Sequence, residues 1–133
     1  MGKPQGVFPM SNQKNGARFE TTLKRILNDN NLTTLNLGYN ETADLVVIDG
    51  KARLIECKVS HKPVWYRKNI EQYQRLIKFV EMGISVYIAI QFVIGHKATV
   101  KFFYLKDAPY PYSIDGGYSL EDFIRHCKEG DSK

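Results

Sequence analysis

The sequence predicts an α/β fold, a mixed β-sheet flanked by helices in the order α-β-β-β-α-β-β-α. Three observations predict it. Apolar residues at helical spacing open the chain, recur in its middle and close it. Short β-prone runs fill the intervals. The 133 residues, 43% of them hydrophobic, suffice for one core and fall short of two ordinary domains.

Residues 1–15 are rich in Gly, Pro, Ser, Asn and Gln without periodicity and read as a flexible arm ahead of one domain at 16–130. In 17–28, Phe19, Leu23, Ile26 and Leu27 form one helical stripe that Asn30-Asn31 ends, with Glu20 on its edge, able to point inward. Strand-like runs follow at 33–37, 45–48 and 53–59, and Asp49-Gly50 between the last two signals a tight hairpin. Beyond Pro63, Ile70, Tyr73, Ile77 and Val80 mark a second amphipathic helix ending near Gly83. The run 84–93 is almost wholly apolar, as in a strand covered on both faces, and Gly95-His96-Lys97 turns it into another at 99–105. After APYPYS, Ser119 opens a last helix with Asp122 at the capping-box offset, an apolar side of Leu120, Phe123, Ile124 and Cys127, and Gly130 at its end.

No run approaches the ~18 apolar residues that a membrane span needs, and the N-terminus lacks the apolar core of a secretory signal, so an intracellular, soluble protein is expected. Cys57 and Cys127 are distant, without a CxxC pattern, and read as reduced thiols. The formal net charge of +5 is compatible with an anionic partner without requiring one.

The chemistry concentrates in KARLIECKVS. Strand alternation puts Glu56 and Lys58 on one side, roughly 6 to 7 Å apart at Cα, with Ile55, Cys57 and Val59 on the other. Folding about Asp49-Gly50 pairs residues whose numbers sum to about 99, which brings Asp44 beside 55 and 56. Two carboxylates so close repel unless a cation lies between them, and Mg²⁺ fits, since it takes a few carboxylates and keeps water and phosphate ligands. A neighbouring lysine can attend a water and offset phosphoryl charge, which describes metal-assisted phosphodiester hydrolysis. A lone Glu-x-Lys more often marks a solvated strand face; the hairpin partner Asp44 and the apolar setting LVVID and LIECKV argue for the site. Asp49 reads as a turn residue. His61, His96 and His126 read as surface or loop histidines, with His61 near enough to reach a phosphate.

Glu20, then Ala43-Asp44-Leu45-Val46-Val47, then Glu56-Cys57-Lys58 resemble the PD-(D/E)XK nuclease core, most closely that of archaeal-type Holliday junction resolvases. KNGARFE resembles the family's opening segment, DGKARLIECKVS its hairpin, and IEQYQRLIKFVEMGISVYIAIQF its following helix and strand. The likeness covers about residues 14–105, with an echo in YSIDGGYSLEDF. It implies a restriction-endonuclease-like core and Mg²⁺-dependent cleavage of four-way DNA junctions by a homodimer, with Mn²⁺ a possible substitute. The protein would work in the cytoplasm at the nucleoid, away from membranes. Asp44 and Glu56 would hold metal with the Cys57 carbonyl, Glu20 would join directly or through water, and Lys58 would serve the attacking water. Ala43 stands where the motif has proline, and Gln91 where relatives often carry a base. Thr42 is the nearest stand-in for a serine that the family often uses.

Lys14, Arg18, Lys51, Arg53, His61, Lys62, Arg67 and Lys68 lie in or beside the segments carrying the acids, as phosphate contacts or as solvated surface. Trp65 among them would either stack on a splayed base or anchor the core. Phe102, Phe103, Tyr104, Tyr110 and Tyr112 suggest spare aromatic surface for a dimer contact in the C-terminal third. Rival readings are another nuclease with this core, acting on duplex, flap or single-stranded DNA, and a DNA-binding module without chemistry.

Overall fold

The computed structural model describes residues 15–38 and 43–129. Residues 1–14 of the proposed arm, Lys14 among them, the stand-in Thr42 and the terminal Gly130 lie outside the described residues, while Asn15 belongs to the first helix.

Helix α1 spans Asn15–Asp29, and Phe19, Leu23, Ile26 and Leu27 on its stripe are all buried. It begins two residues earlier than expected, with Gly16 inside it. Strands β1 (Thr33–Asn36), β2 (Leu45–Asp49) and β3 (Lys51–Ser60) run antiparallel in succession, and the hairpin pairs Leu45 with Ile55 and Asp49 with Lys51. Paired numbers therefore sum to 100, one more than expected, because Gly50 alone occupies the apex at φ +80. That left-handed backbone costs glycine nothing and any side chain something.

A two-residue strand β4 (Val64–Trp65) precedes helix α2 (Ile70–Glu81), which the Asn69 side chain caps by accepting the Gln72 N–H. Strand β5 (Ser85–Ile94) lies parallel to β3, with α2 as the crossover, and antiparallel to β6 (Lys97–Tyr104). Nine successive residues of β5 are buried, which explains its unbroken apolar sequence. Two more short strands, β7 (Tyr112–Ser113) and β8 (Tyr118–Ser119), precede α3 (Leu120–Glu129), whose Asp122 N–H is taken by the Ser119 hydroxyl. Gly117 before β8 packs so closely that a Cβ would lie 2.7 Å from the Phe102 carbonyl oxygen.

The main sheet has the order β1-β2-β3-β5-β6-β8, and β4 pairs with β7 in a separate ribbon. Helices α1 and α3 pack on one face around Leu23, Ile55, Tyr87 and Phe123; α2 packs on the other around Leu76, Ile88 and Phe103. Cys57 and Cys127, neither in a disulfide, are buried on the α1 and α3 side. Among the described residues no helix is long and apolar enough to cross a membrane.

The fold corrects two expectations. Phe102, Phe103 and Tyr112 are core, with Phe102 stacked on Phe123 and Phe103 on Tyr112, so most of the C-terminal aromatics are already used within the chain. Arg53, expected on the DNA rim, is 1% exposed. Alternation puts it on the face of Ile55 and Cys57, where its guanidinium donates to the carbonyls of Asp49 and Cys127 and ties the hairpin to the last turn of α3.

Candidate metal and active site

The site forms where the hairpin opens, at the mouth of β2. Asp44, just before β2, donates its N–H to the Ile55 carbonyl at 3.0 Å, and its Oδ2 accepts the Cys57 N–H at 2.7 Å. The backbone of β3 thus fixes the Asp44 carboxylate directly beside the strand that carries Glu56.

Glu56 points toward α2 and is 4% exposed. Its Oε2 lies 3.0 Å from Lys58 Nζ and accepts from Gln72 Nε2 at 2.7 Å, while Lys58 Nζ donates to Gln72 Oε1 at 2.9 Å. The three side chains close a triangle. The other carboxylate oxygen, Oε1, is buried without a hydrogen-bond partner among the described residues. Burial, followed by the Asp44 charge, pushes the Glu56 carboxyl up to about 7 against the pull of Lys58 and Gln72.

Glu20 reaches the cluster from α1. Asn36 Nδ2 donates to its Oε2 at 2.9 Å, and Lys24 Nζ donates to Asn36 Oδ1 at 2.6 Å. Its carboxyl is also raised, first by burial and then by Asp44. The repulsion of Asp44 with Glu20 and with Glu56, together with the orphaned Oε1, describes a site short of positive charge, which a divalent cation would supply. Among the described residues no group of three or more His, Cys, Asp or Glu side chains is arranged to hold a metal ion. An ion held by two carboxylates would keep ligand positions for water and for phosphate oxygen.

Sequence reasoning missed Gln72 and Asn36. Gln72 had a signal: four and seven residues before Leu76 and Phe79 respectively, it is the polar member of the inward stripe of α2. Asn36 had none, because its role depends on β1 being an edge strand beside α1.

Of the expected phosphate contacts, His61, Lys62 and Lys68 are exposed, and together with Lys58 and Arg67 they line a cavity of about 490 Å³ between the end of β3, β4 and α2. Trp65 is half-buried, stacked on Tyr112 at 5.7 Å, and also lines this cavity. Arg18 is exposed on the first turns of α1. Lys51 sits at the opposite end of β3, five residues from Glu56 or about 16 Å along the strand, and is not brought to the site. Gln91 is buried between β3 and β6 rather than at the acids.

The fold is shared with the Holliday junction resolvase Hjc of the archaeal hyperthermophile Archaeoglobus fulgidus, whose structure superposes with a TM-score of 0.64 at 18% identity over 83% of this chain and 95% of that one. No curated relative matches at the sequence level. The model of the archaeal Holliday junction resolvase (Hjc) family, however, matches residues 11–131, and this chain belongs to that family.

Proposed function

We propose that this chain cuts four-way DNA junctions at the Asp44, Glu56 and Lys58 cluster, with Mg²⁺ as the resident ion and Mn²⁺ able to replace it. Family membership makes the chain a metal-dependent nuclease acting on Holliday junctions in recombination and repair; the choice of ion and of residues is our reading. The observation that carries it is the buried, unpartnered Oε1 of Glu56 beside the fixed carboxylate of Asp44.

Asp44 and Glu56 would hold the ion with the Cys57 carbonyl, and Glu20 would join directly or through water. A bound divalent ion polarises a phosphoryl oxygen and lowers the pKa of a water. Gln72 holds Glu56 and Lys58 in fixed relation, so the strand need not reorganise as charge develops. The Lys58 ammonium would orient the attacking water and offset charge on the phosphoryl oxygen. Arg18, His61, Lys62, Arg67 and Lys68 would contact the DNA backbone around the cut. A junction presents two symmetric strands, which a two-fold dimer with two such sites would suit. Action on chromosomal DNA would place the protein in the cytoplasm at the nucleoid.

The test compares cutting of a four-way junction with linear duplex, flap and single-stranded DNA, with and without Mg²⁺. Metal-dependent cutting confined to the junction is expected. Equal rates on linear duplex would replace the resolvase reading with that of a general nuclease.

A further inference from the structure

The cavity beside Lys58 has a composition that phosphate steering alone leaves unexplained. Its lining includes Lys58, Lys62, Lys68 and Arg67 and, among the described residues, no aspartate or glutamate. The rest of its lining is largely aromatic and aliphatic, with half-buried Trp65 and Tyr73 and the buried Ile88 and Leu105. A cationic rim over an apolar, aromatic floor matches an anion that carries a flat apolar body. About 490 Å³ is ample for one nucleotide and far too small for a duplex.

Arg67 gives the rim its direction. Its guanidinium carbon lies 3.8 Å from the ring centroid of Tyr73 and 3.8 Å from that of Tyr110, and its backbone N–H donates to the Tyr110 hydroxyl at 2.7 Å. These ring contacts hold the guanidinium in place, and a guanidinium so held can offer its fork of N–H donors to a phosphate or the edge of a base. No carboxylate pairs with Arg67 among the described residues. Trp65 is held by its stack on Tyr112, so one wall is set before any ligand arrives.

The geometry points to a nucleotide-capture pocket: one nucleotide, unstacked at the branch point beside the phosphate to be cut, inserts its base along Trp65 while Arg67 and the rim lysines hold its phosphates. This rests on the junction-cutting reading and adds to it a means of selecting branched DNA. A base at a branch point is already partly unstacked, so its capture costs less than extrusion from a continuous duplex.

Trp65 is the chain's only tryptophan, so its fluorescence reports on this pocket alone. In EDTA, where nothing is cut, wild-type protein is titrated with a four-way junction, with linear duplex of the same sequence, and with free dAMP. The junction titration is repeated with a single abasic site stepped through the positions around the branch. Quenching of Trp65 by the intact junction is expected, lost when one position next to the cut is abasic, and weak with duplex or dAMP. Arg67→Lys keeps the charge and loses the fork, and should weaken junction binding about tenfold while the protein stays folded.

Quenching indifferent to every abasic position, or equal with duplex, overturns the proposal; tighter saturation by dAMP than by the junction reassigns the pocket to free nucleotides and also overturns it. Cutting is followed in parallel with Mg²⁺. Position-specific quenching without cutting would sink the metal-site reading and leave the pocket, and cutting without position-specific quenching would do the reverse.

Discussion

Glu56 carries a cost that the fold accepts. Its carboxyl is raised from 4.5 to about 7, so between those values the folded protein holds a proton that the unfolded chain has already released. Stability from this group is therefore fully present below about pH 4.5 and declines as pH rises to about 7, by an amount of the order of 3 kcal/mol. Thermal melts in EDTA should show the midpoint of the wild type falling over that window relative to Glu56→Gln. Parallel curves would mean that the carboxyl is not strained. Gln72 makes a second prediction at this scale. It holds both Glu56 and Lys58 and touches no proposed reacting atom, so Gln72→Ala should lower the single-turnover cutting rate about ten- to hundredfold with junction affinity retained. An unchanged rate would make the triangle a packing detail.

At the scale of elements, Arg53 separates a structural arginine from a DNA-binding one. Arg53→Ala removes the guanidinium that joins the hairpin to the last turn of α3 and should cost about 3 kcal/mol of stability. Measured while the variant is folded, DNA affinity should keep its salt dependence, whereas a lost phosphate contact would lower the slope by about one. The sequence contained the warning, since the alternation that puts Glu56 and Lys58 on one face of β3 puts Arg53 with Ile55 and Cys57 on the other. The same periodicity made all three helices, the hairpin and the buried strand β5 legible. β4, β7 and β8 were not legible, because each is two residues long and exists only through its partner; nothing within Val64–Trp65 announces a ladder with Tyr112–Ser113. The acids Asp44 and Glu56 could be paired through a single turn, but the links through Gln72 and Asn36 depend on how α2 and α1 seat against the sheet.

At the scale of the molecule, the acids and the bases are divided between adjoining surfaces. Asp44, Glu56 and Glu20 gather at the mouth of the hairpin, while Lys62, Arg67 and Lys68 surround the neighbouring cavity. The net charge of +5 thus has a local meaning, an attractive rim beside a site that would otherwise repel phosphate. Replacing Lys62 and Lys68 together with glutamine should lower the slope of log affinity against log salt by about one to two without changing the melting midpoint appreciably. An unchanged slope would place the DNA path elsewhere. The central claim, that chemistry occurs at Glu56 beside Asp44, is tested most directly by single-turnover cutting of a four-way junction in Mg²⁺ by wild type and by Glu56→Gln. A loss of about a thousandfold or more with junction affinity preserved is the predicted result. Rates within about threefold of each other would contradict it, since the transition state would then owe almost nothing to that carboxylate.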